Sequence, residues 1–236
     1  EEAVYLLRKA YEGGMRYFDT ARAYSDSEEK VGEAFKDMRD KVYIATKTAA
    51  TTPEDFWKDL ETSLEKLQTE YIDVYQFHCV GQCYKPGDGT GMYECMLEAK
   101  KQGKIRHIGV TAHKIGIAYE CVESGVYETM QFPFSYLSGP QEIKLVQMCQ
   151  EANMGFVCMK GLAGGLISNS RAAMAYMCQY PDILPIWGIQ KEKELEEWLS
   201  YMSDTPCMDE ETVAFIANEQ EELSGDFCRG CGYCMP

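Results

Sequence analysis

No apolar run in the sequence approaches the ~20 residues that a helix needs to cross a bilayer, which argues against a membrane-spanning helix. Positive charge is scarce as well: 23 Lys and Arg stand against 38 Asp and Glu, a formal net charge of -15. Such a surface repels nucleic acid and anionic membranes, so neither is expected as a partner. There is no G-x-G-x-x-G loop, which speaks against a doubly wound dinucleotide-binding sheet. A basic-then-apolar leader and an initiator methionine are also missing. The chain opens in a helical pattern at Glu1-Glu2-Ala3-Val4-Tyr5-Leu6-Leu7 and stops abruptly at Cys234-Met235-Pro236. It reads as a fragment that lacks something at each end.

What is present is the composition of a globular protein, 45% hydrophobic and 26% charged over 236 residues. That length allows one large α/β domain or two small ones. Cysteine is plentiful, with eleven residues. Those at positions 79, 83, 95, 121, 149, 158, 178 and 207 are scattered, several on apolar faces, and most of them read as small buried hydrophobes in a reducing compartment. Cys228, Cys231 and Cys234 are evenly spaced and need another account.

Helical and strand patterns alternate along the chain. Strands are expected at Arg16–Phe18, Val42–Lys47, Tyr71–His78, Arg106–Val110, Thr129–Phe132, Gly155–Met159 and Ile183–Gly188. Helices are expected at Ala3–Glu12, Ser27–Lys36, Thr52 to about Leu67, Met92–Gln102, Ile115–Glu123, Gln141–Ala152, Arg171–Gln179, Glu192–Met202 and Asp209–Leu223. The third opens with a Thr cap and Pro53 in its first turn, and Ser27 offers a loose capping box to the second. Seven strand–helix alternations behind a lone helix predict a parallel α/β sheet. One further strand before residue 1 makes eight, so the fold class expected is an N-terminally truncated (β/α)8 TIM barrel over 1–203. Residues 204–236 are expected to form a helical linker and a Cys-rich tail.

The chain is organised around Phe18-Asp19-Thr20-Ala21-Arg22-Ala23-Tyr24, which sets a carboxylate and a phenol five residues apart after a short strand. A phenol, with an ordinary pKa near ~10, gives up its proton at neutral pH only with help from nearby charge. Asp19, Lys47 and His78 close successive strands, and in a barrel such ends share one rim. Singly, a strand-ending Lys or Asp is usually a solvated edge residue, and His78 between Phe77 and Val80 would pass for a core histidine. Four such residues converging make those readings the minority.

The stretches Tyr17-Phe18-Asp19-Thr20-Ala21-x-x-Tyr24, Ile44-Ala45-Thr46-Lys47 and Asp73-Val74-Tyr75-Gln76-Phe77-His78 together resemble the aldo-keto reductases. The similarity continues through Gly103–Val110, Gln131-Phe132-Pro133 and Val157–Gly165 and covers nearly the whole chain. It implies a (β/α)8 barrel that binds NADPH or NADH without a Rossmann domain. By the same resemblance Tyr24 is the general acid, Lys47 lowers its pKa, Asp19 pairs with Lys47, and His78 orients a small-molecule carbonyl substrate. Thr111 and Gln131 match residues on the nicotinamide amide, and Lys160, Gly161 and Leu162 fall in the matching loop after the sixth strand. Gly188, Gln190 and Lys191 match the phosphate-binding turn ahead of a helix N-terminus. Departures are Ala112 for an asparagine, Met159 where many members stack an aromatic, and Glu194 where many carry an arginine for the 2′-phosphate.

The C-x2-C-x2-C tail has the spacing of thiolates gripping one iron–sulfur cluster, with zinc as the lesser alternative. It resembles the ferredoxin-like 4Fe-4S extension of one branch of the family, with a redox partner reached through the cluster. Three thiolates are too few for such a cluster, so an incomplete site is expected here. His113, after strand Arg106–Val110, reads as a substrate contact or a plain loop residue, and Cys79 and Cys83 receive no role. The leading expectation is a cytoplasmic NAD(P)-dependent reductase of aldehydes or ketones. The alternatives are a nucleotide-binding regulatory protein and an electron carrier on the same barrel.

Overall fold

A computed structural model describes residues 1–223. Seven strands, β1 (Tyr17–Asp19), β2 (Tyr43–Thr48), β3 (Ile72–Phe77), β4 (Ile105–Thr111), β5 (Thr129–Pro133), β6 (Gly155–Met159) and β7 (Ile183–Pro185), form one sheet in sequential order. Every pairing is parallel. Nine α-helices among the described residues surround it: α1 (Glu2–Glu12), α2 (Ser27–Phe35), α3 (Pro53–Lys66), α4 (Met92–Lys101), α5 (Ile115–Glu123), α6 (Pro140–Glu151), α7 (Ser170–Met177), α8 (Glu192–Ser203) and α9 (Glu210–Leu223).

Local chemistry explains the better-defined starts. Thr52 caps α3 by accepting from the Asp55 backbone N–H at 3.2 Å, and Pro53 occupies the first turn, where it forfeits no hydrogen bond. The helix buries Phe56 and Leu60 completely. At α2 the capping expectation fails: Ser27 is the first helical residue, and its hydroxyl oxygen accepts from Thr20 at 2.7 Å. All six residues of β3 are buried, as befits a parallel strand covered on both faces. Gly32 lets α2 press onto the end of α3, since a Cβ there would lie 2.4 Å from the Lys66 carbonyl.

The sheet curls until the two ends of its helical layer meet. Lys9 on α1 reaches Glu192 and Glu196 on α8 at 2.7 and 2.6 Å, although β1 and β7 are the sheet's unpaired ends. This is the seven-strand portion of the barrel order. The last strand is shorter than its pattern promised: β7 ends at Pro185, Ile186 N–H makes a last bond to the Cys158 carbonyl at 2.9 Å, and Gly188 lies in a loop. At the other end, α9 buries Ile216 and ties its Glu219 and Gln220 to Tyr136.

The N-terminal rim is locked by Asp73. Its carboxylate accepts from Arg39 at 2.5 Å, Arg106 at 2.9 Å and the Ile44 backbone N–H at 2.9 Å. Both guanidinium groups also lie over the Tyr71 ring, 4.2 and 3.8 Å from its centroid. Removing the carboxylate strands the nearly buried Arg39 charge. Asp73→Ala is therefore expected to lower urea-unfolding stability by about 3 kcal/mol. A loss under about 1 kcal/mol would show that water replaces the carboxylate without strain.

Candidate active site

The C-terminal ends of β1 and β2 create a buried ion pair. Lys47 is almost wholly enclosed, and its Nζ lies 2.6 Å from Asp19 Oδ2 and 2.7 Å from the Thr20 carbonyl oxygen. Burial pulls the Lys47 pKa down and pushes that of Asp19 up, and each partner's charge opposes the shift. Two charges this close inside a barrel hold each other in place, because either alone would be expensive to desolvate.

A string of amides continues from the pair across the interior. Gln76 Nε2 donates to Gln131 Oε1 at 3.0 Å and approaches Asp19 Oδ1 at 3.4 Å. Room for Gln76 comes from Gly109 on the neighbouring strand, where a Cβ would lie 2.8 Å from Gln76 Cγ. Gln131 also hydrogen-bonds the Asp19 carboxylate and touches the Met159 sulfur, with Nε2 at 3.8 Å, whereas Gln76 Oε1 is buried without a partner. The string ends in an unsatisfied acceptor.

Tyr24 hangs over this interior from the loop after β1. The β1–β2 ladder runs past its last assigned residue through Thr20 N to the Ala45 carbonyl and Arg22 N to the Lys47 carbonyl, at 2.8 and 3.0 Å. Arg22 pairs with the buried Glu28, which also accepts from Thr46 and Ser63 at 2.6 and 2.7 Å. Glu28 thus binds the Tyr24 loop to β2 and α3. Sequence reasoning missed it because a glutamate in a first helical turn normally faces water. Gln76 was missed too, although a lone amide in a run of buried strand residues was its signal.

Tyr24 is 46% exposed, and its ring meets His78 edge to face with centroids 5.6 Å apart. Lys47 Nζ lies 5.1 Å from the same ring. The four residues expected to converge are therefore brought together. The expected effect of Lys47 on Tyr24 does not appear: burial first, then the Asp19 and Cys79 charges, raise the phenol above its ordinary value. With its value raised, the phenol keeps its proton and remains a donor. His78, one residue past β3, is driven down to about 4 by burial, then by the charges of Lys47 and His113. It is a neutral imidazole at pH 7.

The remaining expected residues lie along the same rim. Thr111 is buried and accepts from the Cys79 N–H at its hydroxyl, at 2.6 Å. Lys160 and Ala163 adopt left-handed backbone, with φ of 57° and 50°, in the loop after β6. Such outliers gather where a site demands them. Gly161 lies beneath Trp187, where a Cβ would be 2.5 Å from the ring, and Trp187 stacks on Trp198 at 3.8 Å. That stack brings Gly161 and Leu162 near the loop holding Gly188. Gln190 and Lys191 donate their backbone N–H groups to Glu194 Oε2 at 2.8 and 3.1 Å, so a carboxylate already fills the anion position at the start of α8. Cys228, Cys231 and Cys234 lie outside the described residues. Among the described residues no group of three or more His, Cys, Asp or Glu side chains could hold a metal ion.

Because His78 is neutral in the folded chain down to about pH 4, the unfolded chain binds its proton first, near the ordinary 6.5. This residue's contribution therefore makes stability fall as pH drops across that window. An NMR titration is expected to place the His78 midpoint near 4 and to find it higher in Lys47→Met, which removes one of the charges. A midpoint at or above the ordinary value would mean that His78 is solvated.

The family model described as the Aldo/keto reductase family matches residues 1–180. Aldo-keto reductase YhdN of Bacillus subtilis is 31% identical over 186 residues, covering 71% of this chain and 54% of that protein. Methylglyoxal reductase DkgA of Yersinia pestis is 37% identical over 113 residues, 47% of this chain and 40% of that one. The chain spans about half the length of the curated relatives it matches. Among solved structures, an aldo-keto reductase from Klebsiella pneumoniae in complex with NADPH superposes with a TM-score of 0.74 at 22% identity, over 92% of this chain and 84% of that one. One from Bacillus halodurans gives 0.76 at 22% identity, over 93% and 85%. These two likenesses are of fold, and they agree with the curled parallel sheet. The sequence matches carry the further conclusion that this chain belongs to the aldo/keto reductase family.

Proposed function

We propose that the chain is an oxidoreductase of aldehydes or ketones in which Tyr24 gives a proton to the carbonyl oxygen. The observation that carries this is the convergence of a protonated phenol, a neutral imidazole and a buried Lys47–Asp19 pair within one rim. A bound nicotinamide cofactor would supply the hydride. Tyr24 protonates the oxygen as negative charge develops on it, and His78, neutral, donates a hydrogen bond there without adding charge. Lys47 stabilises the phenolate left behind, and Asp19 keeps Lys47 in position.

The interior fits the amide end of such a cofactor. Gln131, which hydrogen-bonds Asp19 and touches the Met159 sulfur, presents its amide to a carboxamide, and Thr111 stands on the next strand. The NADPH in the Klebsiella pneumoniae structure supports a nicotinamide for this chain as well. At the anion end the backbone N–H groups of Gln190 and Lys191 suit a phosphate, which would take the place of the Glu194 carboxylate. With Glu194 standing where the resemblance gives arginine, the chain favours NADH. The name of the Yersinia pestis relative supports small oxoaldehydes such as methylglyoxal as substrates.

The test is oxidation of NADH and NADPH with methylglyoxal and a panel of ketones, with Tyr24→Phe beside the parent chain. Tyr24→Phe is expected to lower kcat by about 10²–10⁴-fold with little change in cofactor binding. Tight cofactor binding without turnover in the parent would favour a regulatory role, which Ala112, Met159 and the Glu194 cap would then explain.

Residues 204–236 are proposed as an extension whose Cys228, Cys231 and Cys234 hold an iron–sulfur cluster, with an electron-transfer partner. The support is the C-x2-C-x2-C spacing alone. Anaerobically purified chain is expected to carry iron and acid-labile sulfide below full loading, and Cys231→Ser to carry none. Equal iron in both would remove the cluster.

A further inference from the structure

We propose that Cys79 and His113 form a reactive thiol–imidazole pair at the lip of the active site that captures α,β-unsaturated carbonyl compounds by conjugate addition. Cys79 Sγ lies 3.0 Å from His113 Nδ1, and the cysteine is exposed. Among the described residues it is the one cysteine with a histidine nitrogen at hydrogen-bonding distance. Cys121, Cys149 and Cys158 are buried, and burial pushes each of their thiols up.

The placement of Cys79 is imposed on it. Its backbone is left-handed, with φ of 53°, a conformation that a cysteine adopts only when its surroundings require it. Thr111 supplies the constraint from both sides: its hydroxyl accepts from Cys79 N at 2.6 Å and its carbonyl from Val80 N at 2.9 Å. This turns the thiol of Cys79, the residue that follows His78, toward His113. A packing cysteine needs neither the exposure nor the strained backbone.

Burial first, then the Lys160 charge, hold the His113 pKa below its ordinary value, so the imidazole is neutral and can accept a proton. In the addition, the S–H bond breaks while sulfur bonds to the β-carbon. His113 Nδ1 takes the proton, and the alkene electron pair moves to the α-carbon. That carbon then receives a proton from His113, leaving a thioether with no net oxidation or reduction. The electrophile class rests on the carbonyl reading of the neighbouring site, whereas the reactivity of the pair does not.

The experiment uses the full chain and N-ethylmaleimide, a cyclic α,β-unsaturated carbonyl, with labelling of each cysteine followed by peptide mass mapping. Cys79 is expected to react at least about tenfold faster than Cys178 and Cys207, the other exposed cysteines among the described residues. His113→Ala should slow Cys79 about tenfold and leave Cys207 unchanged. If new labels at Cys121 and Cys149 reveal that this variant unfolds, His113→Gln carries the same comparison. Cys79 reacting no faster than Cys207, or at the parent rate without His113, overturns the proposal. Labelling is read without turnover, so a chain with no reductase activity but a fast Cys79 would refute the proposed function and leave this pair standing.

Discussion

The buried contact between Lys47 and Asp19 governs the rest of the site. A lysine enclosed in a barrel is tolerable only with a carboxylate and a carbonyl on its ammonium, and β1 and β2 supply both. Once that pair is fixed, the amides of Gln76 and Gln131 follow from it, since Gln76 reaches Asp19 on one side and Gln131 on the other. His78 then stays neutral, because burial disfavours its charged form and Lys47 would repel a second cation.

The two rims divide stability from reactivity. At the N-terminal end Asp73 is satisfied by two arginines and a backbone amide. At the C-terminal end groups are left wanting: an amide oxygen without a partner, an exposed phenol, a thiol against an imidazole. Among the described residues, four of the six non-glycine residues in left-handed backbone, at 25, 79, 160 and 163, belong to loops on this side, while Gln68 and Asn153 precede β3 and β6 at the other. A structure can hold such strain only where another part is firmly tied, and the Asp73 and Glu28 clusters do the tying.

The same logic bears on the loop after β7. Glu194 answers two backbone N–H groups that would otherwise face water, which steadies the start of α8. That cap also competes with any phosphate for the same amides. Stability of the helix and affinity for an anionic ligand are set against each other at one carboxylate.

Much of this was legible in the residues. The alternation of strand and helix patterns, the parallel order and the Thr52–Pro53 start of α3 are local consequences of periodicity and capping, and the structure has them. Asp19, Lys47 and His78 could be placed on one rim because parallel strands share a direction. The end of β7 was not legible, since an apolar run through Trp187 looks the same whether it pairs with β6 or turns to stack on Trp198. Glu28 and the Cys79–His113 pair were equally hidden: their partners are far apart in sequence, and nothing in a local pattern reports a contact across 34 residues. The direction of the Tyr24 shift was hidden because it depends on burial and on the Asp19 and Cys79 charges. The sequence by itself determined which elements form and which groups reach the rim, because those follow from neighbours along the chain. Only the tertiary structure decided protonation and pairing, because these depend on how much water each group loses and which charge stands opposite it.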